Sequence, residues 1–251
     1  MLSSLRARLA ARPPTIGTVL GGLLRVPGTL LWLTALVVTG VLGEELSDQQ
    51  LGDRLLAAST NLTNLSHQPV RVLVDSALWD GHAVWWLLLV LGSVSWTVER
   101  WLGTVRWFAV LFGAHVVGTM ISQGVVAMQV AHGLAPASAE VVLDYGVSYA
   151  MAGALGILAH RFPPRWQALY VTVALADFTF PFWAPGHPPV TFTDLGHLVA
   201  LLTGLAAYRL APAPVDPTAE AEPPLDELVA DSLVDERLVL EDAVPAGSPT
   251  D

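Results

Sequence analysis

Six apolar stretches, separated by breaks that are mostly short and polar, constrain this chain more than any other feature. They fall near 27–42, 83–98, 105–129, 145–160, 166–183 and 195–208. Backbone polar groups that lie in hydrocarbon must be satisfied within the segment, so each stretch reads as a helix. Several stand near the lower limit of the roughly 17–25 residues that cross a bilayer. Such spans persist where a bundle shields them or the bilayer thins. Just over half of the residues are hydrophobic (53%) and mean hydropathy is +0.54, unlike a soluble domain.

Charge is sparse and unevenly placed. The net charge is −10, and every basic residue is arginine. Residues 1–210 balance eleven acids against eleven arginines, whereas 211–251 hold the other eleven acids against Arg237 alone. Three regions follow: an Arg-rich leader at 1–25, a membrane domain at 26–210 and an acidic tail at 211–251. The tail, rich in Pro, Asp and Glu, reads as cytosolic and disordered, with scattered leucines that leave room for a cytosolic partner. The leader resembles the positive region of a signal peptide, but no small-x-small site follows the first apolar stretch, so an uncleaved span is expected. With the N-terminus inside, Arg100, Arg106, Arg161, Arg165 and Arg209 all fall on the cytoplasmic side, and only Arg54 and Arg71 lie outside. This positive-inside pattern puts both termini in the cytoplasm and suits a multi-pass protein of the plasma membrane.

The same topology sends the fourth and sixth stretches in from the outer face, where Ser148 and His197 stand near their openings. Ser148 follows Asp144, and His197 follows Asp194, by about one helical turn. Each is expected three residues past its helix mouth, roughly 4–5 Å down the axis. An ionisable histidine inside a span is costly and rare, which makes a functional role for it worth weighing. Below Ser148 the helical positions are Ala152 and Gly156; below His197 they are Ala200 and Gly204. Membrane helices approach closely along such small residues, because apolar area alone drives no association in lipid. The two stripes are therefore expected to meet and to bring hydroxyl and imidazole together. Ordinary helix packing accounts for the small residues equally well, but explains His197 less well.

These residues resemble the rhomboid family of intramembrane serine proteases. That family carries G-x-S-G on its fourth span and H-x-x-G-x-x-x-G on its sixth, where this chain reads Gly146-Val147-Ser148-Tyr149 and His197-Leu198-Val199-Ala200 with Gly204 beyond. Val98-Glu99-Arg100-Trp101-Leu102-Gly103 is similar to its V-E-x-x-L-G signature. The resemblance covers about 51–208. It implies an all-α integral membrane protein, a six-transmembrane-helix rhomboid-like bundle with an amphipathic first loop, in which Ser148 is the nucleophile and His197 the base. Its substrates would be transmembrane proteins, cut near the outer face. Tyr149 and Ala200 replace family glycines. The H-x-x-x-N of active members is not met either, since four residues after His82 comes Trp86. Losing one oxyanion donor typically costs about 10²–10³ in rate. Gly146, Tyr149, His82 and the Ser148 backbone N–H are the remaining candidates for support. A catalytically inactive relative that binds transmembrane clients is thus the alternative.

Asp144 and Asp194 either orient the pair or, more simply, cap the two helices. In the loop at 44–81, Leu51, Leu55, Leu56 and Leu62 recur at helical spacing, which predicts an amphipathic helix in the outer interface. Asn61 and Asn64 read as helix or turn caps. His115, near the middle of the third stretch, reads as an interhelical hydrogen bonder. The absence of cysteine excludes a disulfide framework, a thiol nucleophile and a zinc–thiolate site. No histidines or carboxylates stand at metal-ligand spacing, no phosphate loop appears, and no cofactor or nucleic-acid partner is expected. No internal repeat supports a transporter.

Overall fold

In the computed structural model, the described residues are 21–79, 81, 85–186 and 188–212. Nine α-helices and no strands occur among them. The start of the leader, His82, His187 and the acidic tail from 213 onward lie outside the described residues.

Helices occupy all six apolar stretches: α1 (Pro27–Glu44), α5 (Trp85–Leu102), α6 (Thr104–Ala131), α7 (Ser148–Leu158), α8 (Pro164–Trp183) and α9 (Phe192–Ala206). By length and composition α1 and α6 are able to cross a membrane. The α-helical parts of α7 and α9 are shorter, 11 and 15 residues. At 1.5 Å per residue α7 rises only about 16 Å, roughly half the hydrocarbon thickness. A short 3-10 turn extends each, at Ala159–Arg161 and Ala207–Leu210. α9 packs chiefly on α7 and α6, with α5 against α7 and α1 against α5. α8 buries no residue and lies at the margin.

The loop expected as a single amphipathic helix is three: α2 (Asp48–Ala58), α3 (Leu62–His67) and α4 (Pro69–Ser76). A Ser47–Gln50 capping box opens α2. Leu51 and Leu55 turn onto Trp79 and are buried, while Leu56 is exposed. Leu62 does not continue that stripe, because Asn61 caps a new helix through a 2.9 Å bond from the Asn64 N–H. Arg54 closes the outer side, its guanidinium 4.6 Å from the Trp79 ring centre.

The V-E-x-x-L-G segment is a staple at the opposite end of the bundle. Glu99 is wholly buried. Its carboxylate accepts the N–H groups of Gly28 (2.9 Å) and Thr29 (2.6 Å) at the start of α1, and the Thr104 hydroxyl (2.8 Å) at the start of α6. An anion at a helix N-terminus meets bare N–H groups and the positive end of the dipole. Gly103, with φ +80°, makes the turn from α5 into α6 and donates to the Glu99 carbonyl at 2.8 Å. Glu99→Ala strands three donors, the Thr29 N–H buried and those of Gly28 and Thr104 partly so, and is expected to lower unfolding stability in detergent by about 3 kcal/mol. Glu99→Gln, which keeps shape and one acceptor, is expected to lose clearly less; a loss equal to that of Glu99→Ala would show that the full carboxylate carries the whole effect.

Candidate active site

The site is built where the polypeptide enters α7. Gly146 holds φ +107°, and its N–H donates to the Ser76 carbonyl at 2.8 Å. Asp144 does not cap α7, whose N-cap is Val147 without a side-chain bond. The Asp144 side chain turns inward instead, and helix formation starts three residues later than expected. The carboxylate accepts from Gln123 Nε2 (2.8 Å), Thr60 Oγ1 (3.1 Å) and the Tyr149 hydroxyl (3.3 Å). Its backbone is held as well, the carbonyl by the Thr60 N–H (2.8 Å) and the N–H by Ser59 Oγ (2.7 Å). One aspartate thus ties the first loop, α6 and α7 into a single polar knot.

Burial pushes the Asp144 carboxyl up from its ordinary value, against the hydrogen bonds from Gln123, Thr60 and Tyr149. The folded state therefore binds this proton more tightly than the unfolded chain does. Stability falls as pH rises from the ordinary aspartate range to the raised value, then levels off. Asp144→Asn is expected to flatten that stretch of a melting-temperature profile in detergent. An unchanged profile would remove Asp144 as its cause.

α9 starts earlier than its apolar pattern indicates. Thr191 is the cap and Asp194 the third helical residue of a capping box: Thr191 N–H donates to Asp194 Oδ2 at 2.8 Å and Asp194 N–H to Thr191 Oγ1 at 3.3 Å. Asp194 therefore serves the cap from inside the helix rather than as the N-cap itself. Ser148 is the first residue of α7 and His197 the sixth of α9. The equal offset expected from the two helix mouths does not hold. The two residues nevertheless line one open cavity of about 350 Å³, with Asp177, Phe178 and Pro181 of α8 and Asp194 of α9 around them. Val147, Met151 and Ala152 complete the α7 wall. No hydrogen bond joins Ser148 to His197 among the described residues.

Tyr149 stands behind the imidazole. Its ring meets His197 edge-on at 5.0 Å between centres, and Phe178 flanks the imidazole at 6.5 Å. Room for the tyrosine comes from Gly196, where a Cβ would lie 2.5 Å from Tyr149 Cζ, and from Gly118, where one would lie 3.4 Å from Cγ. The phenol is turned away from Ser148, toward Asp144 and Ser122 (3.5 Å). Neither it nor the Gly146 N–H, held by Ser76, is free to receive an oxyanion. The first-turn N–H groups of Ser148 and Tyr149 have no intrahelical acceptor. His82 lies outside the described residues.

Below the cavity the small residues form the α7–α9 seam. A Cβ on Gly156 would press on the backbone of Leu201, Leu205 and Gly204, and one on Gly204 on the backbone of Gly153. Ala152 and Ala200 are buried beside Leu201 and Ala114. His115 Nε2–H donates to the Leu73 carbonyl, and the same nitrogen lies within hydrogen-bond distance of Ser76 Oγ, both at 3.1 Å, which binds α6 to α4.

Asp177 was not singled out from the sequence, although a signal existed: a lone carboxylate in the apolar stretch 166–183. Phe178 and Pro181 carry no comparable signal, because an aromatic and a late proline are ordinary in a membrane helix.

No match is found among curated proteins or among solved structures. Residues 23–216 match the model of a family described as rhomboid-like protein, a stretch that contains every one of these six apolar helices, the Glu99 staple and the Ser148–His197 cavity. The chain therefore belongs to the rhomboid-like family and is a membrane protein.

Proposed function

We propose that this chain is a rhomboid-type intramembrane serine protease of the plasma membrane, spanning the bilayer six times with both termini in the cytoplasm and cleaving transmembrane substrates near the outer face. The observation that carries this reading is that one cavity holds both the Ser148 hydroxyl, at a helix N-terminus, and the His197 ring. Catalytic hydrogen bonds are often long or misaligned before substrate binds, so the missing Ser148–His197 bond is compatible with it.

In this scheme His197 takes the Ser148 hydroxyl proton as Oγ attacks the carbonyl carbon of a locally unwound substrate segment. The negative oxygen is received by the N–H groups of Ser148 and Tyr149, at the positive end of the α7 dipole. The C–N bond then breaks, and His197 passes the proton to the leaving amine. Water, deprotonated by His197, attacks the acyl ester, and Ser148 leaves with a proton restored. The Tyr149 edge holds the imidazole side of the site.

A second reading, a silent relative that binds transmembrane clients in the same cavity, is favoured by Tyr149, whose bulk replaces a small residue beside the nucleophile. Treatment of the folded full-length protein with a fluorophosphonate probe separates the two. Covalent labelling that vanishes in Ser148→Ala and falls in His197→Ala supports the protease. A folded protein that stays unlabelled supports the client-binding relative.

A further inference from the structure

Asp177 is the feature of the cavity that the catalytic scheme leaves unused. It sits six residues before the end of α8, about 9 Å along that helix from Trp183. It faces the same space as Ser148 and His197. Its carboxylate has neither hydrogen bond nor ion pair among the described residues, and no arginine lines the cavity. The ion pairs found among those residues all lie in the first loop, from Arg54 and Arg71 to Asp75. Asp194, the other cavity carboxylate, is already engaged by Thr191 through Oδ2. Pro181, one turn further on, has no N–H to give the Asp177 carbonyl.

A carboxylate at membrane depth is costly unless it is paired or reaches water. The rest of the wall is Val147, Met151, Ala152, Phe178 and Pro181, suited to an apolar chain. A partner that satisfies both halves is a transmembrane segment with one cationic side chain.

We propose that Asp177 is a specificity-determining residue that selects transmembrane segments carrying an Arg or Lys, holding the cation while the neighbouring backbone is presented to Ser148. This rests on the reading of the cavity as the site that receives transmembrane substrates or clients. Long basic side chains reach several ångströms along an apolar helix surface, which lets the charge find Asp177 from a residue offset from the contact point. Selection works by rejection too, because an acidic residue at that position would meet another carboxylate.

The test uses the full-length protein in phosphatidylcholine vesicles and three otherwise identical transmembrane peptides, with Arg, Leu or Glu at one position in the outer third and a photo-crosslinker beside it. Wild type is expected to capture the Arg peptide about tenfold more than the Glu peptide, the combined scale of one attraction gained and one repulsion avoided. Asp177→Asn is expected to bring the three peptides within about twofold, and Asp177→Arg to invert the order. Equal capture by wild type, or a preference that survives Asp177→Asn, overturns the proposal; the latter would assign the bias to the lipid surface. Fluorophosphonate labelling of the same preparations keeps the two ideas apart. Charge preference without labelling overturns the protease alone, and labelling without preference overturns Asp177 selection alone.

Discussion

Gly204→Leu is expected to leave no folded protein in detergent extracts, the largest stability effect of any single substitution in the bundle. Gly204 lies against the backbone of Gly153, and Gly156 against the backbone of Leu201 and Leu205. Overpacking typically costs about 1–3 kcal/mol when side chains give way. Here the obstacles are main-chain atoms of a neighbouring helix, which yield only if α7 and α9 separate. Lipid supplies no hydrophobic compensation for that separation, because close van der Waals approach is itself what holds the helices. Gly113→Leu, at a position on α6 where a Cβ meets nothing within 4 Å, serves as the control and is expected to melt like wild type. Size-exclusion profiles and thermal melts of the two variants check this. Similar profiles would mean that the α7–α9 seam is not the element holding the bundle together.

The largest effects on activity are expected at Ser148 and His197. If His197 is the base, His197→Ala lowers kcat/KM for a transmembrane substrate in vesicles by about 10²–10⁴, the range of one general acid–base group. Ser148→Ala should abolish turnover outright. Tyr149 separates chemistry from support: Tyr149→Phe keeps the ring against His197 and is expected to change the rate only a few-fold. Tyr149→Ala removes the edge contact and frees the imidazole to swing, so it should approach the His197→Ala loss while the protein remains folded. Turnover that survives His197→Ala would remove the dyad and leave the client-binding reading in place.

How much of this was legible in the sequence depends on which force set each feature. The six apolar helices were, because a hydrophobic run of that length has to satisfy its backbone groups within itself. The small residues below Ser148 and His197 were also readable, since helical period alone aligns them. The opening of α7 was not. Asp144 looks like a helix cap in one dimension, and only its partners Thr60 and Gln123, 84 and 21 residues away in sequence, draw it inward. The place of Tyr149 was hidden for the same reason: it reads as a departure from a glycine pattern until Gly196 and Gly118 are seen to make its room. Leu62 shows a third kind of limit, where a periodic stripe ran across Asn61, whose local bond to Asn64 breaks the helix.

The Glu99 carboxylate has a consequence for biosynthesis. Its donors at Gly28 and Thr29 lie 71 and 70 residues back. During synthesis the opening amides of α1 therefore lack this partner until α5 has been almost completely made. The first two apolar helices are thus fastened through this carboxylate only after the whole first loop has emerged, and a ribosome halted before codon 99 leaves α1 without its anchor.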